Sequence, residues 1–149
     1  MIMKLPKYWA KESVMIKSVK IGSVLIDDAI VLAPMSGVTD LPFRRLVKHY
    51  GVGLVVTEMI ASKAMIYQSQ KTLKMATKCI EEQPMSVQLA GCEPSIMAEA
   101  AKLNEDSGAS LIDINMGCPV KKVTNGDAGS ALMKNEKLAG EILSSVVKA

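Results

Sequence analysis

The stretch Asp113-Ile114-Asn115-Met116-Gly117-Cys118-Pro119 sets a carboxamide, a glycine and a thiol directly after the apolar run Ser110-Leu111-Ile112. A glycine admits tight backbone geometry and a proline fixes the exit direction, so Cys118 is expected on a turn at a strand end. Most free cysteines are small buried hydrophobes. This one has Asn115 three residues before it, and Lys121 and Lys122 three and four residues after it. Such a polar, positive neighbourhood favours proton-transfer or thiolate chemistry. The sole histidine, His49, falls at the end of a separate expected helix. Cys118 therefore has no histidine base, which excludes thiol-protease chemistry.

Four strand-like apolar runs, residues 30–33, 54–57, 85–89 and 110–114, are each followed by a segment of helical character. The first helix is expected over residues 41–50, with Asp40 as its cap and Gly51 as its stop. Glu93-Pro94-Ser95 opens another that runs through Asn104, with Ile96, Met97, Ala100, Ala101 and Leu103 on its buried side. A third covers residues 136–148, turning Leu138, Ile142, Leu143, Val146 and Val147 inward, and residues 61–77 are expected to be helical in part. Strand then helix, four times over, predicts an α/β fold with a parallel sheet, and near-continuous apolar strands suit a sheet covered on both faces. In such sheets the chemistry gathers at the carboxyl ends of the strands. There the sequence places Pro34-Met35-Ser36-Gly37, then Glu58-Met59, then Gln88 with Ala90-Gly91-Cys92, and last Asn115 and Cys118. The glycine-containing residues 126–131 match neither a dinucleotide fingerprint nor a Walker loop, and read as a connection into the last helix.

A chain of 149 residues with 49% hydrophobic and 22% charged residues suits one folded domain. Residues 19–149 form that domain, opened by a small hairpin over 19–27, and residues 1–18 form a lysine-containing extension. No apolar run approaches the roughly 20 residues of a membrane span. The N-terminal residues lack the apolar core of a signal peptide, so the expected location is the cytoplasm. Three cysteines without CxxC spacing suggest neither a disulfide framework nor a metal site. A net charge of +3 does not by itself imply nucleic-acid binding. Its distribution is more informative, because residues 61–80 hold Lys63, Lys71, Lys74 and Lys78 and no acid. A phosphate-facing patch and a solvated lysine face both fit that pattern.

Four strings, taken in order and with their spacing, closely resemble the tRNA-dihydrouridine synthases, most of all the bacterial B-type subfamily. They are Leu32-Ala33-Pro34-Met35-Ser36-Gly37-Val38-Thr39-Asp40, Thr57-Glu58-Met59, Ser86-Val87-Gln88-Leu89-Ala90-Gly91, and residues 113–123 around Cys118. The resemblance implies a (β/α)₈ barrel that binds flavin mononucleotide (FMN) and reduces the C5–C6 double bond of selected uridines in tRNA, with NADPH as electron donor. It implies that Pro34, Met35 and Ser36 line the flavin, that Gln88 hydrogen-bonds its ring, and that Asn115 lies beside flavin and substrate. Cys118 is then the general acid, supplying a proton to C5 after hydride reaches C6. Lys121, Lys122 and the lysines of residues 61–80 are expected to face tRNA phosphates.

Members of this family carry a full barrel and a helical tRNA-gripping domain, whereas this sequence stops after its fourth strand–helix unit. The expected fold is therefore the N-terminal half, (β/α)₄, of a TIM barrel. The family's fifth-strand lysine, later histidine and phosphate-binding loops have no counterpart here. A half-barrel leaves residues 30–33 and 110–114 as open edges, which invites self-association. Two other functions fit the residues: a non-catalytic half-barrel acting as an interaction module, and a flavin barrel reducing a free pyrimidine, as in dihydroorotate dehydrogenases. The Asn-x-Gly-Cys-Pro block favours the tRNA enzymes over the latter, and the flavin content of the purified chain separates the former from an enzyme.

Overall fold

In the computed structural model, which describes residues 17–67 and 80–149, the expected hairpin forms from Val19–Ile21 (β1) and Val24–Ile26 (β2). The strands pair antiparallel, Val19 opposite Ile26. The two-residue loop begins with Gly22 in the left-handed region at φ +59°, a conformation that matches the twist of the flanking strands. Residues 1–16 of the expected extension lie outside the described residues, as do residues 68–79 with Lys71, Lys74, Lys78 and Cys79.

The main sheet contains Val31–Leu32 (β3), Leu54–Val56 (β4), Ile60–Ala61 (β5), Met85–Ala90 (β6) and Leu111–Ile114 (β7). All of its pairings are parallel. β6 is its centre. β4 pairs with the first residues of β6 and β5 with the last, so both run along one edge, while β7 pairs along the other. The four expected strands are thus β3, β4, β6 and β7. β5 is an addition, created where Thr57, Glu58 and Met59 interrupt what would otherwise be one longer strand.

The helices are Leu41–His49 (α1), Ser62–Ile66 (α2), Pro94–Asp106 (α3), Lys121–Thr124 (α4) and Glu136–Lys148 (α5), with 3₁₀ turns at Ile80–Glu82 and Gly129–Lys134. Asp40 caps α1 as expected, its Oδ1 accepting from the N–H of Phe43 at 3.0 Å. Asn135 caps α5 in the same way through Leu138. The core lies between one face of the sheet and α2, α3 and α5. Val55, Met85, Val87 and Leu89 of the strands pack there with Met65, Met97, Ala100, Ala101 and Ile142. Complete burial of each large side chain in this set contributes about 1.5–3 kcal/mol. Because side chains alternate along a strand, Ser86 and Gln88 take the opposite face, and both are buried.

Two helices bury less than their composition suggests. Leu103 of α3 and Leu143 and Val147 of α5 are exposed, Val147 at 84%. α3 and α5 pack against each other through Met97, Ala100 and Ala101 on one side and Leu138, Ile142 and Val146 on the other. The i, i+4, i+8 spacing of the latter three makes a single stripe, and Leu143 and Val147 stand one step off it. Asn104 takes a buried place on α3 instead, donating from Nδ2 to the carbonyl of Ala100 and to the sulfur of Met65.

One buried ion pair joins the front of the sheet to its centre. Arg44 of α1 and Glu82, just before β6, are 1% and 0% exposed. Arg44 donates from Nε at 2.7 Å and from Nη2 at 3.3 Å to the two carboxylate oxygens, and from Nη1 to the carbonyl of Thr39 at 2.8 Å. The buried Thr39 hydroxyl in turn donates to the Met35 carbonyl and accepts from the Met35 N–H, both at 3.1 Å. Glu82 thus holds the loop after β3 through two intermediaries. Removing one member of a buried pair leaves a charge without its partner. Glu82→Ala is therefore expected to cost about 3–5 kcal/mol in denaturant unfolding, and the pair Arg44→Met with Glu82→Leu to restore most of it. A loss below about 1 kcal/mol for Glu82→Ala would show that the pair does not anchor the fold.

Candidate active site

The carboxyl ends of β4, β6 and β7 bring the expected residues together through side-chain hydrogen bonds. The register of β6 and β7 sets Gln88 beside Asp113 and Leu89 beside Ile114. The pairing continues one step further, where the Asn115 N–H donates to the Leu89 carbonyl at 2.8 Å. Asp113 and Asn115, two apart on one strand, share a face with Gln88. Gln88 Nε2 donates to Asp113 Oδ2 at 2.6 Å, and Asn115 Nδ2 donates to Gln88 Oε1 at 3.0 Å. Asn115 Oδ1 accepts from the N–H groups of Gly117 at 3.2 Å and Cys118 at 2.9 Å. An Asn side chain that accepts from the backbone two and three residues on closes a turn. Cys118 is presented on it, half-buried.

The far side of that turn is held by the segment read from sequence as a plain connection. Ser130 N–H donates to the Cys118 carbonyl at 3.0 Å. Gly129, at φ +61°, lies so close that a Cβ there would fall 2.6 Å from the Cys118 carbonyl oxygen and 2.9 Å from Val123 Cγ1. Only glycine suits both the conformation and the space.

Thr57 explains the break between β4 and β5. Its hydroxyl accepts from the Gln88 N–H at 3.1 Å and donates to the Glu58 carbonyl at 2.9 Å. A side chain thereby takes the place of a ladder carbonyl, and the backbone is free to turn. Glu58 follows, and its Oε2 accepts from the Gly37 N–H at 2.6 Å. That bond latches the Pro34, Met35 and Ser36 loop to the end of β4. Met35 and Ser36 are exposed and Pro34 is half-buried.

Lys121 and Lys122 open α4 and are exposed. They make no side-chain bond to the carboxamide chain and stand beyond the turn rather than in it. Lys63, on α2, forms an ion pair with Glu93, which holds its ammonium above the ordinary lysine range. The acid missing from residues 61–80 is thus supplied by the loop before α3. His49 is exposed at the end of α1, stacked edge-on against Tyr50. Two grooves of about 450 and 280 Å³, one along β7 and α5 and one beside Lys48 and Gly53, contain none of the expected site residues.

Three contributors escaped the sequence reading: Asp113, Thr57 and Gly129. Asp113 was signalled by its place two residues before Asn115, on the same strand face. Nothing local marked the other two.

The sequence profile of the family described as Dihydrouridine synthase (Dus) matches residues 31–149. The chain belongs to the dihydrouridine synthase family. It is 58% identical over 132 residues to a probable tRNA-dihydrouridine synthase of Rickettsia bellii, covering 88% of this chain and 40% of that protein. It is 49% identical over 131 residues to tRNA-dihydrouridine synthase B of Pseudomonas aeruginosa, with the same coverages. A tRNA-dihydrouridine synthase B of Xanthomonas campestris is 53% identical over 130 residues, 87% of this chain and 39% of that protein. The chain thus spans about 40% of the length of these relatives. The dihydrouridine synthases are TIM-barrel proteins, and the parallel sheet with helices packed on one face is part of such a barrel. Among the described residues no helix is long and apolar enough to cross a membrane.

In this dihydrouridine synthase chain Gly129→Ala is expected to push the Cys118 turn outward and to cost about 1–3 kcal/mol of stability. Thermal unfolding and the rate of Cys118 alkylation measure the two effects. Unchanged values for both would mean that the turn does not depend on this close approach.

Proposed function

We propose that this chain carries the ring-facing part of a flavin site and the proton donor of a cytoplasmic tRNA-dihydrouridine synthase. The reaction is reduction of the C5–C6 bond of uridine in tRNA, with FMN as cofactor and NADPH as electron donor. The observation that carries the proposal is the carboxamide of Asn115, which bonds at once to Gln88 and to the N–H of Cys118. It ties a ring-binding group to the thiol.

The donor set suits a flavin ring. Each carboxamide nitrogen has two hydrogens, and the bonds described use one on Gln88 and one on Asn115. The remaining N–H groups fit the carbonyl oxygens and ring nitrogens of such a heterocycle. Pro34, Met35 and Ser36 would line it from the loop that Glu58 and Thr39 hold in place. When bound, FMN supplies the hydride for C6 of the uracil. Negative charge then develops toward C5, where the Cys118 thiol delivers its proton. The Asn115 turn fixes where that thiol stands. The target uridine must leave its stack to reach the ring, and the exposed Lys121 and Lys122 would meet tRNA phosphates as it does so. The outer edges of β3 and β7 pair with no other strand among the described residues, which supports self-association of this chain. Sedimentation as a monomer would remove that part of the proposal.

Cys118→Ala is expected to lower tRNA reduction by about 100-fold or more, with flavin reduction by NADPH nearly unchanged. The measurement belongs in a form of the protein that turns over, and activity within a few-fold of the parent would remove Cys118 from the acid role. Replacing Lys121 or Lys122 by alanine should weaken binding to every tRNA sequence alike, and lower the log–log salt slope by about one for each phosphate that the protein no longer neutralises. An unaltered slope for both would return these lysines to solvent.

A further inference from the structure

We infer that Asp113 is a positioning residue: its carboxylate sets the direction of the Gln88 and Asn115 carboxamides and through them holds the turn that carries Cys118. A carboxylate accepts hydrogen bonds and an amide can either donate or accept, according to which end it presents. The Gln88 atom that faces Asp113 Oδ2 at 2.6 Å is therefore the nitrogen. At the other end of the chain the N–H groups of Gly117 and Cys118 can only donate, so Asn115 turns its oxygen to them. Its nitrogen is left facing Gln88 Oε1. The directions imposed from the two ends agree, and every contact joins one donor to one acceptor. Reversing either carboxamide would bring like groups face to face at both of its contacts.

Other uses of the carboxylate are not in view. Asp113 makes no ion pair and no further side-chain hydrogen bond among the described residues. It is half-buried on a sheet face, where the register puts it beside Gln88. A bond to a charged acceptor is shorter and stronger than a neutral one. The carboxylate therefore outcompetes water for the Gln88 nitrogen, and the turn inherits that order.

This deepens the role proposed for Cys118, and its test needs neither flavin nor tRNA, so its failure would leave the proposed reaction standing. The chain has three cysteines, and Cys79→Ser with Cys92→Ser makes Cys118 the sole thiol for iodoacetamide. In that background Gln88→Glu sets two carboxylates against each other and should accelerate alkylation of Cys118 roughly five-fold or more. Adding Asp113→Asn supplies a donor to the new carboxylate and should return the rate to within about two-fold of the parent. A packing role for Asp113 gives no such rescue. The inference is overturned if Gln88→Glu alkylates at the parental rate, or if the double variant is no slower than Gln88→Glu. If Gln88→Glu does not fold, recovery of folding in the double variant supports the inference. If neither folds, hydrogen exchange in the unsubstituted chain decides. One Gln88 carboxamide proton slowed about ten-fold or more supports it, and both exchanging as in free glutamine overturns it.

Discussion

β6 is buried along its whole length and paired on both edges, so each polar group it carries must find its partner inside the protein. That constraint organises the candidate site. An unpaired carboxamide or N–H in such a place costs roughly 1–3 kcal/mol, and Gln88 brings both. Its N–H takes the Thr57 hydroxyl, its nitrogen takes Asp113, and its oxygen takes Asn115. The end of β4 supplies one of these partners, and β7 with the residue after it supplies the other two. The polar rim is thus a consequence of placing a glutamine in the most enclosed strand, and Asn115 passes the consequence on to Cys118.

A second chain of dependence runs from the opposite end of the sheet. Glu82 fixes Arg44, Arg44 fixes the Thr39 carbonyl, and the Thr39 hydroxyl fixes Met35. Glu58 closes the same loop from β4 through Gly37. The loop after β3 is therefore held directly by Glu58 from the end of β4 and, through Arg44, by Glu82 from the turn before β6. A flexible loop held in this way loses its freedom once, on folding, and offers a ligand a surface that needs little further ordering.

The parts that were legible in the sequence are those in which a local rule decides. The four apolar runs became β3, β4, β6 and β7, and Asp40 capped α1, because strand burial and capping act over a few residues. The positions of Gln88, Asn115 and Cys118 at one rim followed from strand direction alone. Other features needed the assembled fold. β5 is two residues long and exists because the Thr57 hydroxyl replaces a backbone carbonyl. α4 is four residues, Lys121–Thr124, too short for any periodicity. α5 offers two apolar stripes, and only its packing on α3 selects Leu138, Ile142 and Val146 over Leu143 and Val147. Gly129 is required by the approach of the Cys118 carbonyl, a contact between segments whose nearness no spacing rule reveals.

The core and the rim depend on different forces, and this separates stability from chemistry. The core is apolar packing among Met85, Val87, Leu89, Met97 and Ile142, where large truncations cost several kcal/mol. The rim consists of single hydrogen bonds between side chains and turns, each contributing about 1 kcal/mol net. Loss of one rim bond can therefore leave the fold standing while shifting the turn that carries Cys118. Cooperation among the bonds offsets their individual weakness. Asp113, Gln88, Asn115 and the Cys118 N–H form one sequence of donors and acceptors, forked where Asn115 Oδ1 also takes the Gly117 N–H, so each bond polarises and restricts the next. Among the described residues the Cys118 sulfur takes part in no hydrogen bond. Here the backbone around it is fixed instead, through the Cys118 N–H on one side and the Cys118 carbonyl on the other.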